Sequence, residues 1–154
     1  MYDNHMTVSI IYATYSNSTT MASEVLKQAL EAAGHAVSMS MAYEATPEML
    51  KPADLVVLAS PSWDFNDEEG QPHEDFFAFF EKMPKDVFSG KNCALLGLGD
   101  KNYNKFCGAV DVLRNQLEEF GSKITSEPLR LDQYYLNEAQ CVEEIKSWAG
   151  EIVK

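Results

Sequence analysis

Two short stretches, residues 55–59 (LVVLA) and 93–98 (CALLGL), carry no polar side chain at all. A strand with one wet face alternates apolar and polar positions, so unbroken runs of this length belong to parallel strands covered on both faces. Parallel neighbours cannot be joined by a tight turn and need long crossovers, usually helical. The rest of the chain supplies them. Residues 8–13 (VSIIYA) read as a first strand. Over residues 19–33, Ala22, Val25, Leu26, Ala29, Leu30 and Ala33 recur at a spacing of three to four, one face of a helix. Gly34 then stops it.

Residues 36–41 (AVSMSM) alternate, as suits a half-buried strand near a sheet edge, and residues 47–50 suit a short helical turn. A helix over residues 75–83 carries Phe76, Phe77, Phe79 and Phe80 and ends at Pro84. Residues 109–120 place Val110, Leu113 and Leu117 on one stripe, closed by Gly121. Residues 123–131 form a strand interrupted by Pro128, which cannot donate to a ladder and so marks a sheet edge. The last helix starts near Asn137, with Gln140 three residues on as a capping partner, and presents Val142, Ile145, Trp148, Ala149 and Ile152.

The expected fold is therefore α/β: a doubly wound, five-stranded parallel sheet with helices on both faces and strand order 2-1-3-4-5. Residues 7–154 read as a single domain behind a flexible tail at residues 1–6. In such sheets ligands bind beyond the carboxyl ends of the strands at the topological switch point, here between strands 1 and 3. Three loops meet there, those after Ala13, Ala59 and Leu98.

Composition narrows the function. A formal net charge of −12 repels nucleic acid and anionic membranes and attracts basic proteins. No apolar run approaches the length of a membrane span. Three cysteines, with no CxxC pair, argue for a reducing cytoplasm and against disulfides or zinc. Cys93 and Cys141 read as core thiols, and Cys107 as a small hydrophobe beside a loop. His5, His35 and His73 are scattered and read as solvated, not catalytic.

The first loop, Thr14-Tyr15-Ser16-Asn17-Ser18-Thr19, offers hydroxyls and the free N–H groups of a helix start, the ingredients of a phosphate site. It lacks the lysine of a nucleotide-hydrolysing P-loop. The second loop, running from Ser60 and Pro61 through Ser62, Trp63 and Asp64 to Gly70, places a tryptophan among acidic residues. The third, from Leu98 and Gly99 through Asp100 and Tyr103 to Phe106 and Cys107, does the same with a tyrosine. Two aromatics from adjacent loops can clamp a flat ring.

The order of these pieces resembles the flavodoxin family over about residues 7–154. The first loop resembles that family's phosphate segment, Ser62-Trp63 its flavin-stacking loop, and the run from Gly99 to Asp111 its third loop and following helix. The resemblance is to the short-chain branch. It implies one non-covalent FMN, with the phosphate held by Thr14, Ser16, Asn17, Ser18 and Thr19 and within reach of Ser62. Trp63 and Tyr103 would cover the two ring faces, Asp100 would accept from the pyrimidine end, and the backbone at Asp64 would lie beside flavin N5. The implied cofactor contacts extend to Tyr15, Ser60, Pro61, Leu98, Gly99, Phe106 and Cys107.

Two positions depart from the family pattern. Asn17-Ser18 stands where Gly-Asn is usual, and asparagine tolerates the left-handed backbone such a loop needs. Asp64 stands where glycine is frequent, so the one-electron-reduced cofactor should be less stabilised than in a glycine-bearing relative. The implied function is low-potential electron transfer, without a substrate of its own, between a basic-faced flavodoxin reductase and acceptor enzymes, as a cytoplasmic monomer. Two other readings share the fold: an activator of ribonucleotide reductase, and an FMN-free binding module. A response-regulator receiver is excluded, because Ala13-Thr14 and Ser60-Pro61 stand where it needs carboxylates.

Overall fold

Side chains alternating along three central strands divide between two helical layers, and this two-sided burial organises the molecule. The computed structural model describes residues 5–65 and 67–154. In chain order the elements are β1 (Thr7–Tyr12), α1 (Ser18–Ala32), β2 (Ala36–Met41), α2 (Pro47–Leu50), β3 (Leu55–Pro61), β4 (Trp63–Phe65) and β5 (Glu68–Gln71). There follow α3 (Asp75–Lys82), α4 (Lys85–Phe88), β6 (Asn92–Gly99), α5 (Gly108–Glu119), β7 (Lys123–Ile124), β8 (Leu129–Asp132) and α6 (Glu138–Ile152).

The main sheet has the order β2-β1-β3-β6-β7, with β8 also on β6, and every pairing is parallel. This is the expected order, with the fifth strand present as two pieces. β7 pairs at Asn92↔Lys123 and β8 at Leu96↔Leu129, and Pro128 lies in the gap between them. Val8, Ile10, Leu55, Val57, Ala94 and Leu96 face α1 and α6, where they meet Leu26, Leu30, Ile145 and Trp148. Ile11, Val56, Leu58, Cys93 and Leu95 face the other layer, with Phe76, Phe79, Phe88, Leu113 and Leu117. Two glycines end helices in the same way. Gly34 (φ 98°) and Gly121 (φ 86°) take left-handed backbone, and the following N–H groups of His35 and Ser122 turn back to the carbonyls of Leu30 and Leu117.

Several expectations need correction. Residues 1–4 of the expected tail lie outside the described residues, but His5 and Met6 are tied in. His5 Nδ1 donates to the Gly34 carbonyl at 2.7 Å, and the Met6 N–H donates to His35 Nδ1 at 3.0 Å. His35 and His73 are buried, not solvated, because each ring accepts a backbone N–H; His73 Nδ1 takes that of Asp75 at 3.0 Å. The capping pair of α6 does not form. Asn137 instead donates to the Asp132 carbonyl, and Gln140 bonds Glu144. The sequence reading also missed the antiparallel hairpin β4–β5 inside the second loop and the short α4.

All three cysteines are free and buried. Burial pushes the thiols of Cys93 and Cys107 up to about 12. In the folded protein at pH 8 they stay protonated and should resist iodoacetamide. Mass spectrometry should find all three alkylated once urea unfolds the chain. Gly97 sets the approach of β6 to α5: a Cβ there would lie 2.5 Å from Val110 Cγ2. Gly97→Ala should therefore lower stability in urea titration by about 1–3 kcal/mol through overpacking.

Candidate functional site

The carboxyl ends of β1, β3 and β6 lie side by side, because the three strands run parallel in register, with Tyr12↔Ala59 and Pro61↔Leu98 as their last pairs. The crossover that leaves β1 runs to β2 on one side, and the one that leaves β3 runs to β6 on the other. The three loops singled out in the sequence emerge at that end.

The first loop turns into α1 through Asn17, whose φ of 72° and ψ of −4° put it in the left-handed region. Its side chain makes no cap, so it leaves the first-turn N–H groups of α1 open to another acceptor. The hydroxyls of Thr14 and Thr19 are buried and have no hydrogen-bond partner among the described residues, and neither does that of Thr20. Ser16 Oγ and Ser18 Oγ lie 3.5 Å apart, and the Ser16 carbonyl accepts from the hydroxyl of Tyr135. An unpartnered buried hydroxyl costs about 1–3 kcal/mol. Hydroxyls and N–H groups gathered at the positive end of a helix dipole match the chemistry of a phosphate.

Tyr15 departs from this arrangement. Its ring packs on Trp63 (centroids 4.2 Å apart) and on His73 (4.0 Å), and its hydroxyl accepts the Glu74 N–H. Burial and the neighbouring Glu74 and Asp75 push its phenol up to about 12, so it stays neutral. Tyr15 thus ties the first loop to the second.

The second and third loops enclose a cleft of about 230 Å³ lined by Ser62, Trp63, Asp64, Glu69, Gly99, Asp100, Tyr103, Lys105 and Cys107. Trp63 and Tyr103 both line it while 38% and 59% exposed. The cleft is smaller than the roughly 300–1,000 Å³ of a pocket that takes a whole ligand, and the first loop does not line it. A ligand using both places has a flat end in the cleft and an anionic end at α1.

Other expected contacts have structural duties. Ser62 Oγ lines the cleft but accepts the Ala109 N–H at 2.9 Å, capping α5, so it is partly committed while its hydroxyl hydrogen stays free to donate. Ser60 is fully buried and accepts the His73 N–H at 2.9 Å. Leu98 is core, Phe106 packs against the core, and neither they nor Ser60 and Pro61 line the cleft. Asp100 Oδ1 accepts the Asn102 N–H, closing a local turn. Cys107 shapes the floor: its backbone is left-handed (φ 52°) and its thiol lies against Gly99.

The bracing of this site was not legible. Arg130 bonds both Asp111 oxygens, at 2.9 and 3.3 Å, and the carbonyl of Cys107 at 3.0 Å. Asp132 takes the Lys101 N–H, and Glu69 takes that of Lys105. A Cβ at Gly108 would lie 2.8 Å from the Gly70 carbonyl oxygen, so hairpin and α5 touch backbone to backbone. Lys105 also brings a positive charge into a cleft that holds Asp64, Glu69 and Asp100.

Among the described residues no cluster of His, Cys, Asp and Glu could hold a metal ion, and no helix is long and apolar enough to cross a membrane. The family model for flavodoxin matches residues 10–148. The flavodoxin of Nitratidesulfovibrio vulgaris (strain Miyazaki F) is 28% identical over 147 residues, 95% of this chain and 96% of that one. The solved structure of oxidised flavodoxin 2 from Bacillus cereus superposes with a TM-score of 0.79 at 28% identity, covering 95% of this chain and 97% of the other. A Fusobacterium nucleatum flavodoxin bound to flavin mononucleotide shares the fold at 19% identity and a TM-score of 0.77, each chain covered to 96%. With the match spanning nearly the whole chain, and the loops gathered at the sheet end where the fold binds ligands, the chain belongs to the flavodoxin family of FMN-binding electron carriers, which are not enzymes.

Proposed function

We propose that this chain carries electrons at low potential on one non-covalent FMN, between a basic-faced reductase and basic-faced acceptor enzymes. The observation that carries the reading is the pair of buried, unpartnered hydroxyls on Thr14 and Thr19 at a helix start, beside a cleft walled by Trp63 and Tyr103. Bound FMN supplies the redox chemistry; the protein supplies binding, orientation and electrostatics. Thr14, Ser16, Asn17, Ser18 and Thr19 hold the phosphate with hydroxyls and α1 N–H groups. Trp63 and Tyr103 cover the ring and exclude water, while the backbone at Asp64 and the carboxylate of Asp100 address its polar edge.

Asp64, Glu69 and Asp100 make it harder to add negative charge in the cleft, which lowers the potential of the second reduction. Lys105 opposes them, but three carboxylates outnumber one ammonium. The net charge of −12 steers basic partners by long-range attraction. Like charge also keeps copies of the chain apart as monomers, and free buried thiols suit a reducing cytoplasm.

Purified protein should be yellow and release one FMN per chain on denaturation. A colourless protein that takes up no added FMN would favour the FMN-free binding module. Thr19→Val should weaken FMN by about 1.5–3 kcal/mol, the worth of a hydrogen bond to a charged group, on the order of ten- to a hundredfold in Kd. The same change should leave the FMN-free protein as stable or more so in thermal melts, since it removes an orphaned hydroxyl. In anaerobic redox titration, combining Asp64→Asn, Glu69→Gln and Asp100→Asn should raise the lower potential. An unchanged value would refute the electrostatic account.

A further inference from the structure

We infer that the groove between α3 and the β4–β5 hairpin is the docking site for the redox partner, and that it takes an apolar side chain flanked by lysines or arginines. The inference rests on the electron-carrier reading and adds to it a place and a chemistry for the partner. It starts from the pattern of α3. Phe76, Phe79 and Phe80 bury one face of that helix. Glu74, Phe77, Ala78 and Glu81, at the spacing i, i+3, i+4 and i+7, line the groove on its outer face.

Phe77 is 37% exposed, so the core does not account for its size. Its ring lies 5.5 Å from that of Phe65 on the hairpin, centroid to centroid. Together they form the apolar part of an open groove of about 580 Å³. Its remaining lining includes the carboxylates of Glu68, Glu74 and Glu81 and no lysine or arginine. An apolar strip set among carboxylates is complementary to an apolar anchor set among cations.

Two further facts point to a redox partner. Phe65 stacks on Trp63 with centroids 6.1 Å apart, and Trp63 lines the ring cleft, so an unbroken aromatic stripe links groove and cleft. A protein seated on Phe65 and Phe77 therefore sits next to the cofactor. A second copy of this chain is a poor occupant, because it would bring the same carboxylates against themselves in a molecule of net charge −12.

The test is an NMR titration of the FMN-loaded protein with oxidised cytochrome c, a basic haem protein, at low ionic strength. Amide shifts should cluster at Phe65, Phe77 and Glu81. Phe77→Ser should weaken binding about five- to tenfold, as loss of an interface anchor does. Glu81→Lys should weaken it at least as much, and the equal charge reversal Glu143→Lys on α6, in the opposite layer, far less. The flavin spectrum should stay unchanged in each variant. Shifts elsewhere, no binding, equal effects of Glu81→Lys and Glu143→Lys, or self-association through the groove in sedimentation would each overturn the proposal. If the wild-type chain took up no FMN, the electron-carrier reading would fail instead, and titrating that chain would still decide the groove.

Discussion

The parallel pairing of β1, β3 and β6 is the constraint on which the rest of this structure depends. Each strand is covered on both faces, so alternate side chains must satisfy two different helical layers at once. A one-residue slip would exchange the two sets, and that fixes the register. With register and direction fixed, the ends of three strands come together, and the loops leaving them have no other place to go. A candidate binding site drawn from three segments between residues 14 and 107 is thus a by-product of how the core is buried, in line with the general behaviour of open α/β sheets.

Much of this was legible because it depends on periodicity and local backbone chemistry. The unbroken runs announced β3 and β6, Gly34 and Gly121 announced two helix ends, and Pro128 announced an edge. Asn17 was readable for the same reason, since left-handed backbone selects few residue types. Exposed aromatics such as Trp63 and Tyr103 were conspicuous because loops seldom spend such residues on solvent.

What stayed hidden depends on contacts between distant elements. The burial of His35 and His73 follows from backbone N–H groups that reach them only in the folded chain. Ser62 looks like a ligand-binding hydroxyl in sequence, but the start of α5 lies within reach of it once β3 and β6 have paired. Arg130 gave one faint signal, a lone cation in a strand otherwise apolar or acidic, and nothing pointed to Asp111 as its partner. The hairpin was missed because its strands are short and acidic, without the alternation that marks a half-buried strand. It is held from outside, by the close approach of Gly70 to Gly108 and by Glu69 on the Lys105 N–H. These braces join the two walls of the cleft, so neither wall can shift far without the other.

The interruption of the last strand has a consequence for life in a crowded solution. A sheet edge offers unpaired N–H and C=O groups that can recruit the edge of another molecule. β7 and β8 are two and four residues long and are separated by a segment containing Pro128, which has no N–H to offer. An incoming strand would find at most a few consecutive groups to bond before meeting the gap. The feature that splits the fifth strand thus keeps that flank of the sheet from growing into an aggregate.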